Sequence, residues 1–270
     1  MKRACLDILC CPRCKTPFRI EGEGTNTEQI MEGELLCQGC GKRFPIVNGI
    51  VRFIKREEFG EADRKHENFR RYFYSYIYDL FTKFEFTFCG GEKKARHDCL
   101  ERLEIRPGSR ILETGIGTGS NLPYLKESLG DGCFFGIDIS SSMLRKCRKN
   151  LKKWGCPAEI FLARAENLPF KNGSFDTVFH LGAINLFENK QQAIEEMIRV
   201  ARPGTKVVIA DENEEADRLR DKLLIPRLVF GKREEVVPPI DLVPKTMTDI
   251  RLNTIWNGLG YCIDFRTPVY

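Results

Sequence analysis

Nowhere in these 270 residues does an apolar run reach the roughly 18 that a membrane-crossing helix needs. The opening stretch, MKRACLDILCCPRC, has two basic residues but no apolar segment ahead of its cysteines. That argues against a secretory leader and for a cytoplasmic protein. Charge of one sign is scarce as well. A formal net charge of +5 permits an anionic partner but is no footprint of nucleic-acid binding. Histidine is rare, with three residues, so an imidazole base has few places to stand. Repeats are missing, which excludes solenoids and propellers.

Cysteine is the exception, with twelve residues. Without a leader they point to metal ligation and reduced, mostly buried thiols. Cys11-Pro-Arg-Cys14 and Cys37-Gln-Gly-Cys40 are two CxxC pairs separated by 22 residues. Two such knuckles bring four thiolates within tetrahedral reach of one zinc ion. Cys10 adjoins the first pair and is an alternative ligand of poorer spacing. Four protein ligands leave no open position, so the expected role is structural, and a module this small needs such a staple.

Three parts are expected: a zinc-ribbon-like module over 1–55, an aromatic helical linker and candidate lid over 56–105, and a larger domain over 106–270. From Arg106 onward the pattern is regular. RPGSRILET, CFFGIDIS, AEIFLARA, FDTVFHLGAI and TKVVIADE read as strands. SNLPYLKESLG, SSMLRKCRKNLKKWG and KQQAIEEMIRVARPG read as the helices between them. Such alternation predicts an α/β fold with a doubly wound, mostly parallel sheet. The tail is read as a Pro-rich loop, VVPPIDLVP, a helix over TMTDIRLNTIWNGLG, and a last strand, YCIDFRTPVY.

ILETGIGTGS poses the functional question. A phosphate-gripping GxxxxGK[ST] loop is absent. The dinucleotide pattern GxGxxG fails too, because Ser120 or Leu122 stands where its last glycine belongs. What remains is Gly115, Gly117 and Gly119, a turn whose backbone can touch a ligand or simply close tightly. Asp138, followed by Ile139, ends the second strand. A carboxylate there can accept both hydroxyls of a ribose, or cap the next helix. Met143 can pack near a purine or serve the core. Ala165 and Glu166 lie on a loop able to line a purine pocket, and the segment from His180 to Asn185 leaves the fourth strand beside the reactive end of a bound cofactor.

Together these residues resemble the class I S-adenosylmethionine-dependent methyltransferases, especially the group that holds the ubiquinone and menaquinone methyltransferases (methyltransferase type 11). The resemblance runs from about Arg106 to Asp211 and implies a Rossmann-like, seven-stranded sheet. It associates Glu113 with the methionine end of S-adenosyl-L-methionine and Asp138 with its ribose. Arg164 departs from the family, which usually has an aspartate there. The segment GKRFPIVNGIVRFI after the second cysteine pair resembles the zinc-ribbon-like module typified by Trm112. Tyr74 and Tyr78, in the aromatic linker, are candidate pocket residues by the same resemblance.

Methyl transfer to a nucleophilic acceptor needs little acid–base machinery. His180 is the candidate base for a hydroxyl acceptor, with a structural role as the alternative, and Asn185 is a candidate for orienting the acceptor. The aromatic linker and the stretch KLLIPRLVFG favour a small organic or lipid-like acceptor and peripheral membrane contact. An RNA acceptor is the first alternative; no NPPY motif supports it. A non-catalytic scaffold binding a protein partner is the second.

Overall fold

The computed structural model describes residues 1–22, 27–59, 75–182, 184–222 and 236–269. Four short antiparallel strands come first: β1 (Phe18–Glu21), β2 (Gly33–Cys37), β3 (Arg43–Val47) and β4 (Ile50–Val51), paired in chain order. Helices α1 (Ser75–Phe88) and α2 (Glu92–Leu100) follow. Then come β5 (Arg110–Thr114), α3 (Leu122–Leu129), β6 (Cys133–Asp138), α4 (Ser141–Trp154), β7 (Glu159–Leu162), β8 (Phe175–Leu181), α5 (Lys190–Val200), β9 (Ala201–Glu212) and α6 (Glu214–Lys222). The hairpin β10 (Thr248–Ile255) and β11 (Gly260–Arg266) completes a seven-stranded sheet of order β10-β11-β9-β8-β5-β6-β7. Strands β5 to β9 pair in parallel; β11 runs antiparallel to β9, and β10 antiparallel to β11.

The mostly parallel sheet is the one expected, and local signals set its ends. Ser140 caps α4 by accepting the Met143 N–H at 3.5 Å, and Gly155 closes that helix in a left-handed conformation. Asn189 caps α5 in the same way, from Gln192 at 3.0 Å. One expectation fails. Within TMTDIRLNTIWNGLG the segment TDIRLNTI is an edge strand, not a helix. Leu252, Ile255, Trp256 and Leu259 happen to follow a helical spacing, while the edge position leaves most of β10 exposed and its alternation faint. The decisive signal is Asn257-Gly258, a hairpin dipeptide. Both residues, with Trp256, take positive φ. A smaller difference is that Ala201-Arg202-Pro203-Gly204 already belongs to β9, not to the end of α5.

Successive residues of the central strand point to opposite faces. Ile111 joins an apolar layer under α2, α3 and α4 that includes Leu103, Phe134, Leu144 and Phe179. Leu112 joins the other layer, with Phe135, Phe161, Phe175, Ile194 and Met197. That second layer runs without a break into the N-terminal module, where Leu9, Ile30, Leu35, Phe44 and Phe53 belong to the same cluster. Phenylalanine rings mark the path. Phe44 lies 5.3 Å from Phe53, Phe53 6.1 Å from Phe161, and Phe161 5.6 Å from Phe170.

Backbone pairing reinforces this packing. Arg52 bridges Leu162, and the Phe53 N–H donates to the Leu162 carbonyl at 2.8 Å. The free edge of β7 is thereby covered, which removes a site for unwanted strand pairing. Leu9 bridges Phe170, and Lys15 reaches Glu196 of α5 at 2.9 Å. Arg164 takes part as well. It pairs with Glu188 at 2.8 Å and donates to the Glu58 carbonyl at 3.2 Å.

Candidate functional site

Strand β5 leaves the sheet where the strand order reverses, with β6 and β7 on one side and β8 and β9 on the other. A crevice outside the carboxyl ends is expected at that point. The chain turns at once through Gly115, Gly117 and Gly119, with φ of +72°, +57° and +77°. The three positions differ in the room they leave for a side chain. A Cβ on Gly115 would lie 3.1 Å from His180 Cε1, and one on Gly119 2.8 Å from Cys147 Sγ. At Gly117 nothing in the protein lies nearer than the Gly115 carbonyl, at 4.0 Å. The bare backbone there faces a cavity instead.

Asp138 holds this turn from the next strand. Its Oδ2 accepts the Gly117 N–H at 2.9 Å, and its Oδ1 accepts the Ser140 N–H at 2.8 Å. Ser140, not Asp138, makes the helix cap. Met143, Ala165 and Glu166 are buried near the carboxyl ends of β6 and β7, and Ile139 is half-buried. These four, together with Asp138 and Gly119, stand outside the cavity wall described next.

The cavity is floored by Glu113, Gly115 and Gly117. On one side α1 and α2 contribute Phe86 and Arg96; on the other stand Leu181, Asn185 and Glu212. Glu113 is almost wholly buried. Its Oε1 accepts from Asn121 Nδ2 at 2.6 Å, while Oε2 has no partner among the described residues. Burial pushes its pKa up to about 8, against the opposing pull of Asn121 and Arg96. Arg96 hydrogen-bonds Asn121 Oδ1 and donates to Glu92 at 3.1 Å. Its guanidinium lies over Phe86 at 5.2 Å and over Tyr124 at 5.6 Å.

The raised Glu113 pKa fixes a sign. The native state favours the protonated carboxyl, so this contribution to stability is whole below pH 4.5 and is lost as pH climbs through about 8. The loss is at most about 5 kcal/mol. Urea unfolding at a series of pH values should show a falling limb over that range, flattened in Glu113→Gln. An unchanged limb in the variant would assign it to other groups.

Asn185 is on the wall with its amide engaged. It donates to the Glu212 carbonyl at 3.1 Å and accepts from the Tyr261 hydroxyl at 3.2 Å. His180 is not on the wall. It lies fully buried behind Gly115, with Nδ1 2.7 Å from the Thr114 carbonyl and Nε2 without a partner among the described residues. Burial pushes its pKa down to about 4, so the ring is neutral near pH 7. Tyr74 lies outside the described residues, and Tyr78 is described only as backbone of α1. The segment 223–235, which includes most of KLLIPRLVFG, also lies outside them.

Motif reasoning passed over Arg96, Asn121, Arg220 and Trp256. Arg220 binds Glu85 of α1 at 2.6 Å, Asp217 at 2.9 Å and Glu212. Burial disfavours its charge, but these carboxylates outweigh that and raise its pKa. Trp256 Nε1 donates to the Ala95 carbonyl at 2.8 Å. On the other flank Thr118 donates to Asp79 of α1 at 2.6 Å. Helix α1 is thus pinned over the cavity from the glycine turn and from α6. One signal was available for Arg96: it shares a helix face with Cys99 and Leu100, an apolar phase where an arginine is out of place.

Far from this cavity, the Sγ atoms of Cys11, Cys14, Cys37 and Cys40 all lie within 4.8 Å of one another. Cys11 and Cys40 are 3.8 Å apart, and Cys14 and Cys37 3.3 Å. Four thiolates at zinc–sulfur distance in a tetrahedron would stand about 3.8 Å apart. All twelve cysteines are free thiols. The donor set therefore fits a zinc ion with no position left for substrate.

Comparison with known proteins agrees with this geometry. Residues 111–204 match the family described as a methyltransferase domain, and residues 2–49 match the Trm112p-like proteins. The phthiotriol/phenolphthiotriol dimycocerosates methyltransferase of Mycobacterium leprae is 35% identical over 104 residues, 38% of this chain and 38% of that protein. The ubiquinone/menaquinone biosynthesis C-methyltransferase UbiE of Laribacter hongkongensis is 34% identical over 117 residues, 43% of this chain and 48% of that protein. The chain thus spans less than half the length of these curated relatives. Among solved structures, PH0226 from Pyrococcus horikoshii aligns with a TM-score of 0.55 at 22% identity, covering 65% of this chain and 91% of that one. A SAM-dependent methyltransferase, possible histamine N-methyltransferase, from Thermotoga maritima aligns at 0.53 and 19%, covering 72% and 98%. Both show the fold. Residues 111–204 are thus similar to methyltransferase domains and lie in a Rossmann-like sheet, and residues 2–49 ahead of them are similar to the Trm112p-like proteins.

Proposed function

We propose that the protein transfers a methyl group from S-adenosylmethionine to a small organic or lipid-like acceptor, with a structural zinc ion in the module over 1–55. The observation that carries this is the unpartnered Glu113 Oε2 at the floor of a cavity whose glycine turn is held by Asp138. The sulfonium supplies the activated methyl. The chain's task is to hold both reactants and exclude water. The backbone of Gly115 to Gly119 lies against the cofactor. Asp138, with Ile139 beside it, takes the ribose, and Met143, Ala165 and Glu166 border the purine. Glu113 Oε2 receives the ammonium group, with Arg96 and Asn121 fixing the carboxyl that faces it. Asn185 orients the acceptor. His180, buried behind Gly115 with Nδ1 at the Thr114 carbonyl, supports the turn and is not the base for an acceptor.

Support for an apolar acceptor comes from Phe86, Phe88, Leu181, Leu186 and Trp256 on the cavity wall. The curated relatives are named for phthiotriol dimycocerosates and for ubiquinone and menaquinone. Labelled cofactor should deliver label to the lipid fraction of a cell extract. Label in ribosomal RNA instead would overturn the acceptor class. The cofactor assignment has a separate readout. An ammonium on Glu113 needs the carboxylate, which below pH of about 8 is mostly protonated in the free protein. Binding near neutral pH should therefore release about one proton. Calorimetry in buffers of different ionisation enthalpy measures that release, and Glu113→Gln should abolish it. Binding without proton release in the parent protein would count against the assignment.

A further inference from the structure

Helix α1 has two faces of different character. Thr82, Glu85, Phe86 and Cys89 line the cavity. Leu80 and Phe84 lie on the opposite face, 71% and 50% exposed, and Phe88, 36% exposed, continues the four-residue spacing and joins the cavity wall. Phe84 and Phe88 touch edge to face at 5.5 Å, so the stripe is continuous. The described acids of this helix are turned away from it. Asp79 is bonded to Thr118, and Glu85 to Arg220.

Helix α4 packs beside α1. It carries Arg145, Lys146, Arg148, Lys149, Lys152 and Lys153, with no acidic residue. Arg145, Lys149, Lys152 and Lys153 are exposed. Lys83 of α1 and Lys146 and Lys153 of α4 edge one groove between the helices. An exposed apolar stripe next to a wholly basic helix is the pairing that an interfacial surface uses: apolar side chains enter the acyl boundary and basic ones meet anionic headgroups.

We propose that the outer face of α1 and the exposed face of α4 together dock this protein on an anionic lipid bilayer. Charge complementarity decides for that occupant. A second copy of the chain would set α4 against α4, four exposed basic residues facing four. An RNA would satisfy α4 and leave the aliphatic Leu80 without a partner. Docking by this face would put the cavity wall formed by α1 at the membrane surface. The surface itself does not depend on the identity of the methyl acceptor. Failure of label to reach lipids would remove the proposed acceptor and leave vesicle binding standing.

The test is co-sedimentation of the full zinc-loaded chain with vesicles of pure phosphatidylcholine and of equal parts phosphatidylcholine and phosphatidylglycerol. Binding to the anionic vesicles should be at least about tenfold tighter and should weaken as salt rises. Leu80→Ser with Phe84→Ser, and separately Lys149→Glu with Lys152→Glu, should each cost about tenfold or more, with melting temperatures close to the parent's. Equal affinity for the two vesicle types, or none for either, overturns the proposal on the parent protein alone. So does full binding by the serine variant. Mixed-sequence RNA held by α4 in place of vesicles, or a dimer in sedimentation equilibrium that Phe84→Ser dissolves, assigns the surface to that other occupant.

Discussion

Gly117→Leu is expected to lose S-adenosylmethionine binding by at least a hundredfold, about 3 kcal/mol, while the protein stays folded. Two costs are separable here. The backbone has φ of +57°, and a leucine forced into that region costs about 1–2 kcal/mol. Nothing nearby collides with the new Cβ, whose closest neighbour is a carbonyl at 4.0 Å. The damage therefore falls on the ligand, because the added side chain projects where the bare backbone faced the cavity. Gly136→Ala makes the contrast. Its Cβ would meet Ile116 Cδ1 at 2.3 Å inside the sheet, so stability should fall, with binding lost only as a consequence. Calorimetric affinity and melting temperature, measured on both variants, tell the cases apart. Near-parental affinity in folded Gly117→Leu would remove the cofactor from this turn.

The second large effect is expected from the metal. Cys37→Ser, or chelation, should release the zinc and lower the melting temperature of the whole chain, not of a separate small unit. The reason is the shared apolar layer. Leu9, Phe44 and Phe53 pack in one cluster with Phe161 and Phe170. Loosening the module uncovers that face of the sheet and frees the edge of β7. Phe53→Ala, which keeps all four ligands, should cost about 3–5 kcal/mol through the same contact. That corresponds to a drop in melting temperature of about 10 °C for a chain of this size. Differential scanning calorimetry decides the matter. Two transitions, with the upper one unmoved by zinc removal, would mean that the module and the sheet are thermodynamically independent.

The parallel strands were legible because each is buried on both faces and bounded by turn residues, and because the helices between them have strong apolar stripes. The cysteine ligands were legible because metal geometry constrains spacing directly. Edge strand β10 was not, since exposure erased its alternation. The cavity was half legible. Gly115 and Gly117 on its wall, and the Asp138 that holds their turn from behind, belong to one local supersecondary unit, so chain order reveals them. Arg96 reaches the cavity from a helix more than a hundred residues before Arg220 and Trp256, and no short motif encodes that meeting. His180 shows the opposite failure. A strand-end histidine in sequence order looked available to an acceptor, yet its side chain turned under Gly115. Strand-end position fixes where a residue is, whereas the pleat decides which side it serves.

The pairing of Leu9 with Phe170 has a consequence for how the chain is made. The first cysteine knuckle leaves the ribosome early, but Phe170, which Leu9 pairs with, is translated more than a hundred and fifty residues later. At about 5–20 residues per second, the nascent module spends roughly ten to thirty seconds with its greasy side uncovered. Early capture of zinc by the knuckles would let the infant domain wait in a native-like shape, and cells starved of the metal during synthesis should accumulate aggregates that later zinc does not rescue.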